Sequence, residues 1–221
     1  MAQDNARELI DGIRNELKEL DGRIKNHRYL AALEDGGVSR EALRGFAGHQ
    51  YHIIGSDMRS VAMLLARHGP LPGRKYLADL FQGESAAYDF CLAFAGALGM
   101  DESRLADYEP SPPGVAYAHF VAWLGVYGSA AELAAAFLVN FAAWGANCGR
   151  MAKALEERYG FEKSSLAFFE MFANTPPSFE TDALEVVAAG LERGVAPRTI
   201  RRAARLLQGL ELMYWDAMSE L

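Results

Sequence analysis

The sequence predicts an all-α fold, a bundle of about eight helices forming one domain over residues 1–221. Apolar residues recur at spacings of three and four nearly throughout, and no stretch alternates with the period of two that a strand requires. Turn signals divide the chain into pieces of irregular length, too many for a four-helix bundle and too uneven for a repeat solenoid. A chain of 221 residues can also bury a substantial core of its own.

Ser39 ahead of Arg40-Glu41-Ala42-Leu43 marks the start of a helix, and Gly69-Pro70-Leu71-Pro72-Gly73 marks a break. Gly99 and Asp101 read as a stop and a start, and Pro110-Ser111-Pro112-Pro113-Gly114 as a further break. Ser129 and Glu132 have the Ser-x-x-Glu spacing of a capping box. Asn174-Thr175-Pro176-Pro177-Ser178 closes one helix, and Gly194-Val195-Ala196-Pro197 opens the last. Glycines inside the helical runs, among them Gly45, Gly48, Gly55, Gly96, Gly125, Gly145, Gly149 and Gly209, each cost roughly 1 kcal/mol against alanine. Close helix approach, or room for a ligand, is the expected compensation.

A formal charge of −7 and a pI near 5.3 argue against sequence-independent nucleic-acid binding, which needs clustered cations. The four arginines Arg198, Arg201, Arg202 and Arg205 fall on the polar side of the last helix and read as a solvated face. The longest apolar stretch, Ala130 to Cys148, is interrupted by Glu132, Asn140 and Asn147, which suits a buried helix and not a membrane span. Cys91 and Cys148 lie in apolar helical sequence without Cys-x-x-Cys spacing, as reduced thiols would. The N-terminus lacks the apolar run of a secretory leader, so a cytoplasmic protein is expected.

The feature richest in chemistry is Glu211, set within the apolar stripe Leu207, Glu211, Tyr214 and Met218 of the last helix. An unpaired carboxylate taken out of water costs several kcal/mol, so the group must be paired, protonated or held in a polar pocket. A structural hydrogen bond to a neighbouring helix is the competing reading. Other helices carry similar insertions. Gln50 shares a face with Leu43, Phe46, Ala47, Ile54 and Val61, and Tyr51 adjoins that face. Tyr117 aligns with Phe120, Val121 and Leu124, and Asn140 and Trp144 continue the series Leu133, Phe137, Cys148, Met151 and Leu155. Singly, each is a satisfied core residue; together they suggest a lined pocket.

Of the five histidines only His49 and His52 are close in sequence, facing mostly away from the apolar stripe, and no Glu-x-x-His accompanies them. No metal and no cofactor is expected. Phosphate-cradling loops and the Gly-x-Ser-x-Gly elbow are absent.

Several segments resemble the TenA/PqqC family: Asn26-His27-Arg28-Tyr29-Leu30, Leu43 to Phe46, Phe46 to His52, Ala116 to Phe120, Gly128 to Glu132, and Leu210 to Met218 with its Glu-x-x-Tyr-Trp-x-x-Met pattern. The resemblance runs from about residue 26 to the end and implies a heme-oxygenase-like helical bundle. It further implies thiaminase II-like chemistry, the hydrolysis of thiamine or of an aminopyrimidine in thiamine salvage. The family's nucleophilic cysteine falls at Asn140, the tyrosine that follows it at Trp144, its pyrimidine-holding aspartate at Gln50, and another active-site tyrosine near Phe172. Tyr51, Tyr117 and Glu211 match the family.

An amide cannot replace a thiolate as attacking group. The resemblance therefore points to the branch without cysteine, in which Glu211 is the catalytic acid/base and Gln50, Tyr51, Tyr117, Asn140, Trp144 and Phe172 surround a small aromatic or heteroaromatic ligand. A ligand-binding protein without catalysis is one alternative. A divergent PqqC-like or di-iron-type oxidase is another, against which Glu84 is followed seven residues later by Cys91 where the di-iron branch has histidine. The quinone-synthase branch needs histidines and arginines that Gln50 and His49 do not reproduce. The resemblance also implies a homodimer or homotetramer, for which the aromatic Trp123, Tyr127 and Tyr159 are interface candidates, while charge and the broken apolar stretch give neither nucleic acid nor a membrane as expected partner.

Overall fold

Helices account for nearly all of the computed structural model, which describes residues 2–68 and 73–221; the break expected at Gly69–Pro72 lies outside the described residues. In order these are α1 (Ala2–Glu16), α2 (Lys18–Lys25), α3 (Arg28–Glu34), α4 (Arg40–His68), α5 (Arg74–Ala97), α6 (Glu102–Ala106), α7 (Pro112–Tyr127), α8 (Ala130–Tyr159), α9 (Ala167–Ala173), α10 (Ser178–Glu192) and α11 (Pro197–Met218), with a 3-10 turn at Lys163–Ser165. The described residues contain no strand, as the missing period of two requires.

The helices outnumber the eight expected because several are short. The first helical run is interrupted at Leu17, without Gly or Pro, by a backbone at φ −93° and ψ 3°. Helices α3, α6 and α9 have seven, five and seven residues, about two turns or fewer, in which an apolar period cannot declare itself. Most punctuation acts where the sequence places it. Ser39 Oγ accepts from the Ala42 N–H at 3.0 Å. At the start of α8 the Glu132 N–H donates to Ser129 Oγ at 3.2 Å while the Ser129 N–H donates to Glu132 Oε2 at 2.9 Å, a complete capping box. Asp101 caps α6, and Pro112 and Pro197 occupy the first turns of α7 and α11.

The long helices make the frame. Helix α4 packs against α5 and α7, α8 packs against α9, α10 and α11, and α7 also meets α11. Aromatic side chains fill the middle: Phe46 lies edge-on to Phe94 and Tyr214, and Trp144 packs on Tyr214 and Trp215 with ring centroids 6.1 and 5.7 Å apart. Two glycines act as close-approach points. A Cβ at Gly125 would lie 2.9 Å from the Ser60 carbonyl, and one at Gly145 would lie 2.6 Å from that of Phe172, so the close approach of α9 to α8 at that point depends on Gly145. At Gly55, Gly96 and Gly209 a Cβ would meet open space, and no packing there offsets their cost.

The two neighbouring histidines are structural, and His49 departs from expectation. It is fully buried, because Tyr108 and Ser111 fold over that side of α4. Its Nε2 accepts from the Ser111 N–H at 3.0 Å, which leaves Nδ1–H to donate to the Gly45 carbonyl at 2.8 Å. His52 Nε2 donates to the Tyr108 carbonyl at 2.9 Å.

Cys91 and Cys148 are buried and unbridged, and burial pushes the Cys91 thiol up to about 12. Arg198, Arg202 and Arg205 are exposed along α11, as a solvated face should be. Trp123 and Tyr127 are exposed on α7, with Trp123 stacked on Phe120 and Tyr127 tilted against Trp123, whereas the half-buried Tyr159 hydroxyl is occupied, accepting from the Val38 N–H at 3.0 Å. Among the described residues no helix is long and apolar enough to cross a membrane.

Candidate active site

Glu211 lies on the inner face of α11 and is 3% exposed. Its neighbours on that stripe, Leu207, Tyr214 and Met218, are buried with it, as the helical period predicts. The side chain faces a cavity of about 40 Å³ lined by residues of six helices. Helix α4 contributes Gln50, Ile53, Ile54 and Asp57; α5 contributes Glu84; α7 contributes Tyr117. Asn140, Phe141 and Trp144 come from α8, Phe172 from α9, and Tyr214 joins Glu211 from α11.

The fold thus brings Gln50, Tyr117, Asn140, Trp144, Phe172 and Glu211 to one cavity. It does not bring Tyr51 there. One position off the apolar stripe of α4, Tyr51 turns outward and packs on Tyr88 and His52, with both centroid separations 5.3 Å. Sequence reasoning missed Asp57 and weighed Glu84 only as a di-iron ligand, yet both carboxylates line the cavity, buried at 3% and 7% exposure. Their signal was the one that marked Glu211. Asp57 continues the stripe Gln50, Ile54, Val61, and Glu84 lies within Leu77, Leu80, Ala87 and Cys91, every one of them buried.

A short network fixes the polar groups. Trp215, one turn beyond Glu211, donates its indole N–H to Glu211 Oε1 at 2.7 Å. Gln50 Nε2 donates to the Tyr214 hydroxyl at 2.8 Å. Asn140 Nδ2 donates to Gln208 Oε1 at 3.2 Å, and Gln208 Nε2 donates to Asp21 Oδ1 at 3.0 Å, so the amide of α8 is tied through α11 to α2. Asn140 is thereby held in place, and Trp144, one turn further along α8, is held by ring contacts with Phe172, Tyr214 and Trp215.

Burial dominates the electrostatics. It pushes Glu211 up to about 7, against the opposing pull of hydrogen bonds from Trp215 and Asn140, which favour the carboxylate. Burial likewise raises Glu84 to about 8. Asp57 is pushed well above the carboxylate range by burial and by the neighbouring Glu84 charge. The Tyr117 phenol is held neutral by burial and by the charges of Asp57, Glu211 and Glu84. A carboxyl near 7 is populated in both protonation states at neutral pH, which is what a group that both gives and takes a proton requires.

An apolar cavity that admits a benzene ring is on the order of 150 Å³, so 40 Å³ takes only the head of a ring compound. Outside it lies a groove of about 380 Å³ between α5, α8, α9 and α10, lined among others by Tyr76, Leu80, Met171 and Phe179. Glu84, Phe141 and Phe172 border both spaces. The half-buried Phe141 and Phe172, edge-on with centroids 5.9 Å apart, therefore form the partition between cavity and groove. Among the described residues no three His, Cys, Asp or Glu side chains are grouped so as to hold a metal ion, and the Cys91 thiol donates to the Ala47 carbonyl at 3.7 Å.

The architecture is that of known helical proteins. A TenA homologue from Pseudomonas syringae pv. tomato superposes with a TM-score of 0.81 at 16% identity, covering 96% of this chain and 92% of its own. A putative TenA-like thiaminase from Sulfolobus solfataricus gives 0.61 at 13% identity, with 98% and 97% covered. Heme oxygenase-1 from Synechocystis, solved with heme, gives 0.66 at 15% identity, with 96% and 91% covered. At these identities the likeness is one of fold, and the fold is heme-oxygenase-like. No curated protein matches the sequence. The family model described as TENA/THI-4/PQQC matches residues 14–221, and the chain belongs to that family.

Proposed function

We propose that this protein is a cysteine-independent hydrolase of the TenA type, acting on an aminopyrimidine or a related small heteroaromatic amine, with Glu211 as the acid/base. The observation that carries the reading is the buried Glu211 carboxyl, raised to about 7 and held by the Trp215 indole in a cavity with aromatic walls. In the reaction a C–N bond breaks and a C–O bond forms. Water supplies the hydroxyl, and its proton passes through Glu211 to the departing nitrogen, so an aminomethyl group becomes hydroxymethyl plus ammonia. The ring enters from the outer groove by moving Phe141 and Phe172, with Tyr117, Trp144 and Tyr214 closing around the amine-bearing end.

The oxidase reading has less support. The cavity's donors are three carboxyls, two amides and phenols, with no imidazole or thiol among them. The hydrolase reading is tested by incubating the protein with 4-amino-5-aminomethyl-2-methylpyrimidine and measuring ammonia release alongside a thermal-shift titration. Stabilisation with ammonia release supports the hydrolase. Stabilisation without product, over long incubation, replaces it with a binding protein.

A further inference from the structure

Glu211 is one of three carboxyls in the cavity, and the reaction above uses only that one. Asp57 Oδ1 is completely buried and has no hydrogen-bond partner, which leaves its desolvation uncompensated. Glu84 approaches it from α5, near enough for its charge to act on Asp57. No Lys, Arg or His lines the cavity, so the protein supplies these carboxyls with no cation of its own. The remaining walls are largely aromatic: Tyr117, Phe141, Trp144, Phe172 and Tyr214. Carboxylates backed by aromatic faces favour organic cations. At 40 Å³ the space admits about three water-sized groups, the size of an ammonium head and not of a ring.

We propose that the Asp57–Glu84 pair is a subsite for the positively charged amine nitrogen of the ligand, holding an ammonium head in the cavity while the apolar body extends past Phe141 and Phe172 into the groove. The assignment deepens the hydrolase reading and rests on it for the kind of molecule bound. There the pair holds the amine of the substrate and stabilises the ammonium that leaves, while Glu211 moves the proton.

Charge balance gives the subsite a pH signature. The titratable groups facing Asp57 are Glu84 from α5, Tyr117 from α7, and Glu211 and Tyr214 from α11, with the neutral amides Gln50 and Asn140 beside them; Tyr76 of α5 acts on Tyr117. Without ligand, burial keeps the acidic pair protonated up to about pH 8 at Glu84. An incoming cation replaces a proton, so its affinity rises with pH until the ligand's own ammonium loses its charge, near 10 for an alkylamine.

The test is calorimetric titration with two matched pairs of probes: 4-amino-5-aminomethyl-2-methylpyrimidine against its 5-hydroxymethyl counterpart, and benzylammonium against benzyl alcohol. Wild-type protein should bind the ammonium member of a pair at least about tenfold more tightly, with a proton released on binding. Asp57→Asn and Glu84→Gln, checked for folding by thermal melting, should erase the preference, and Glu211→Gln should retain it. A preference for benzylammonium that depends on Asp57 would support the subsite even if no pyrimidine binds and the hydrolase reading fails. Equal binding of charged and neutral members in the wild type would overturn it, and that comparison needs no variant. Loss of the preference in Glu211→Gln alone would overturn it too, because the cation would then sit at Glu211.

Discussion

The indole N–H of Trp215 donates to Glu211 Oε1 at 2.7 Å across one turn of α11, so the helix that buries the carboxylate also supplies its hydrogen bond. Two opposing effects set the acidity of Glu211. Burial raises it, and the Trp215 bond, with help from Asn140, lowers it, for a result of about 7. Trp215→Phe keeps the ring and removes the donor. Hydrogen bonds to charged groups contribute about 1.5–3 kcal/mol, which corresponds to roughly 1–2 pH units. The Glu211 ionisation should move up by that amount, read as a shift of the acid limb in the pH–rate profile or by carboxyl infrared absorption in a 13C-labelled sample. An unmoved ionisation would mean that the bond does not control the group.

Stability should fall as pH rises. Glu84 and Glu211 have folded-state values of about 8 and about 7, above the ordinary 4.5, so the folded protein binds more protons than the unfolded chain between those limits. Their contribution is complete below about pH 4.5 and is lost progressively as pH rises through 7 and 8. Glu84→Gln removes one of these protons from the balance and should flatten the decline by a few kcal/mol, in order of magnitude. Urea unfolding at pH 5 and pH 9 in both proteins measures it, and parallel slopes would contradict the buried ionisation of Glu84.

Gly145 sets the position of α9. A Cβ there would lie 2.6 Å from the Phe172 carbonyl, and because backbone cannot rotate away, Gly145→Ala must push the helices apart. The expected loss is about 1–3 kcal/mol of stability, together with weakened ligand binding, since Phe172 forms part of the cavity wall. Gly209→Ala is the internal control: a Cβ there meets open space, and the substitution should stabilise α11 by about 0.5–1 kcal/mol. If both variants melt at the wild-type temperature, the close approach at Gly145 has no energetic consequence.

Much of this was legible in the sequence, for identifiable reasons. Capping chemistry is local, so Ser39, Asp101 and Ser129 announced helix starts that the fold realises. Long amphipathic stripes are equally readable, and a carboxylate on such a stripe exposed Glu211. The same period marks Asp57 on α4 and Glu84 on α5, each a carboxylate on a buried apolar stripe. Tyr51 fails for the converse reason. One residue is about 100° of helix, enough to move a side chain from the cavity to the Tyr88 surface. Helices of two turns such as α3 and α9, and the interruption at Leu17, depend on tertiary packing that no local pattern encodes. The burial of His49 was likewise out of reach, since it comes from Tyr108 and Ser111, about sixty residues further along the chain.

The proposed hydrolysis stands or falls with Glu211 as the group that moves its proton. The most direct test is single-turnover ammonia release from 4-amino-5-aminomethyl-2-methylpyrimidine by wild type and Glu211→Gln, with the dissociation constant measured on the same samples. The rate in Glu211→Gln should be lower by about 10²–10⁴-fold, with affinity changed far less. An undiminished rate in Glu211→Gln would contradict it and move the chemistry to another group in the cavity.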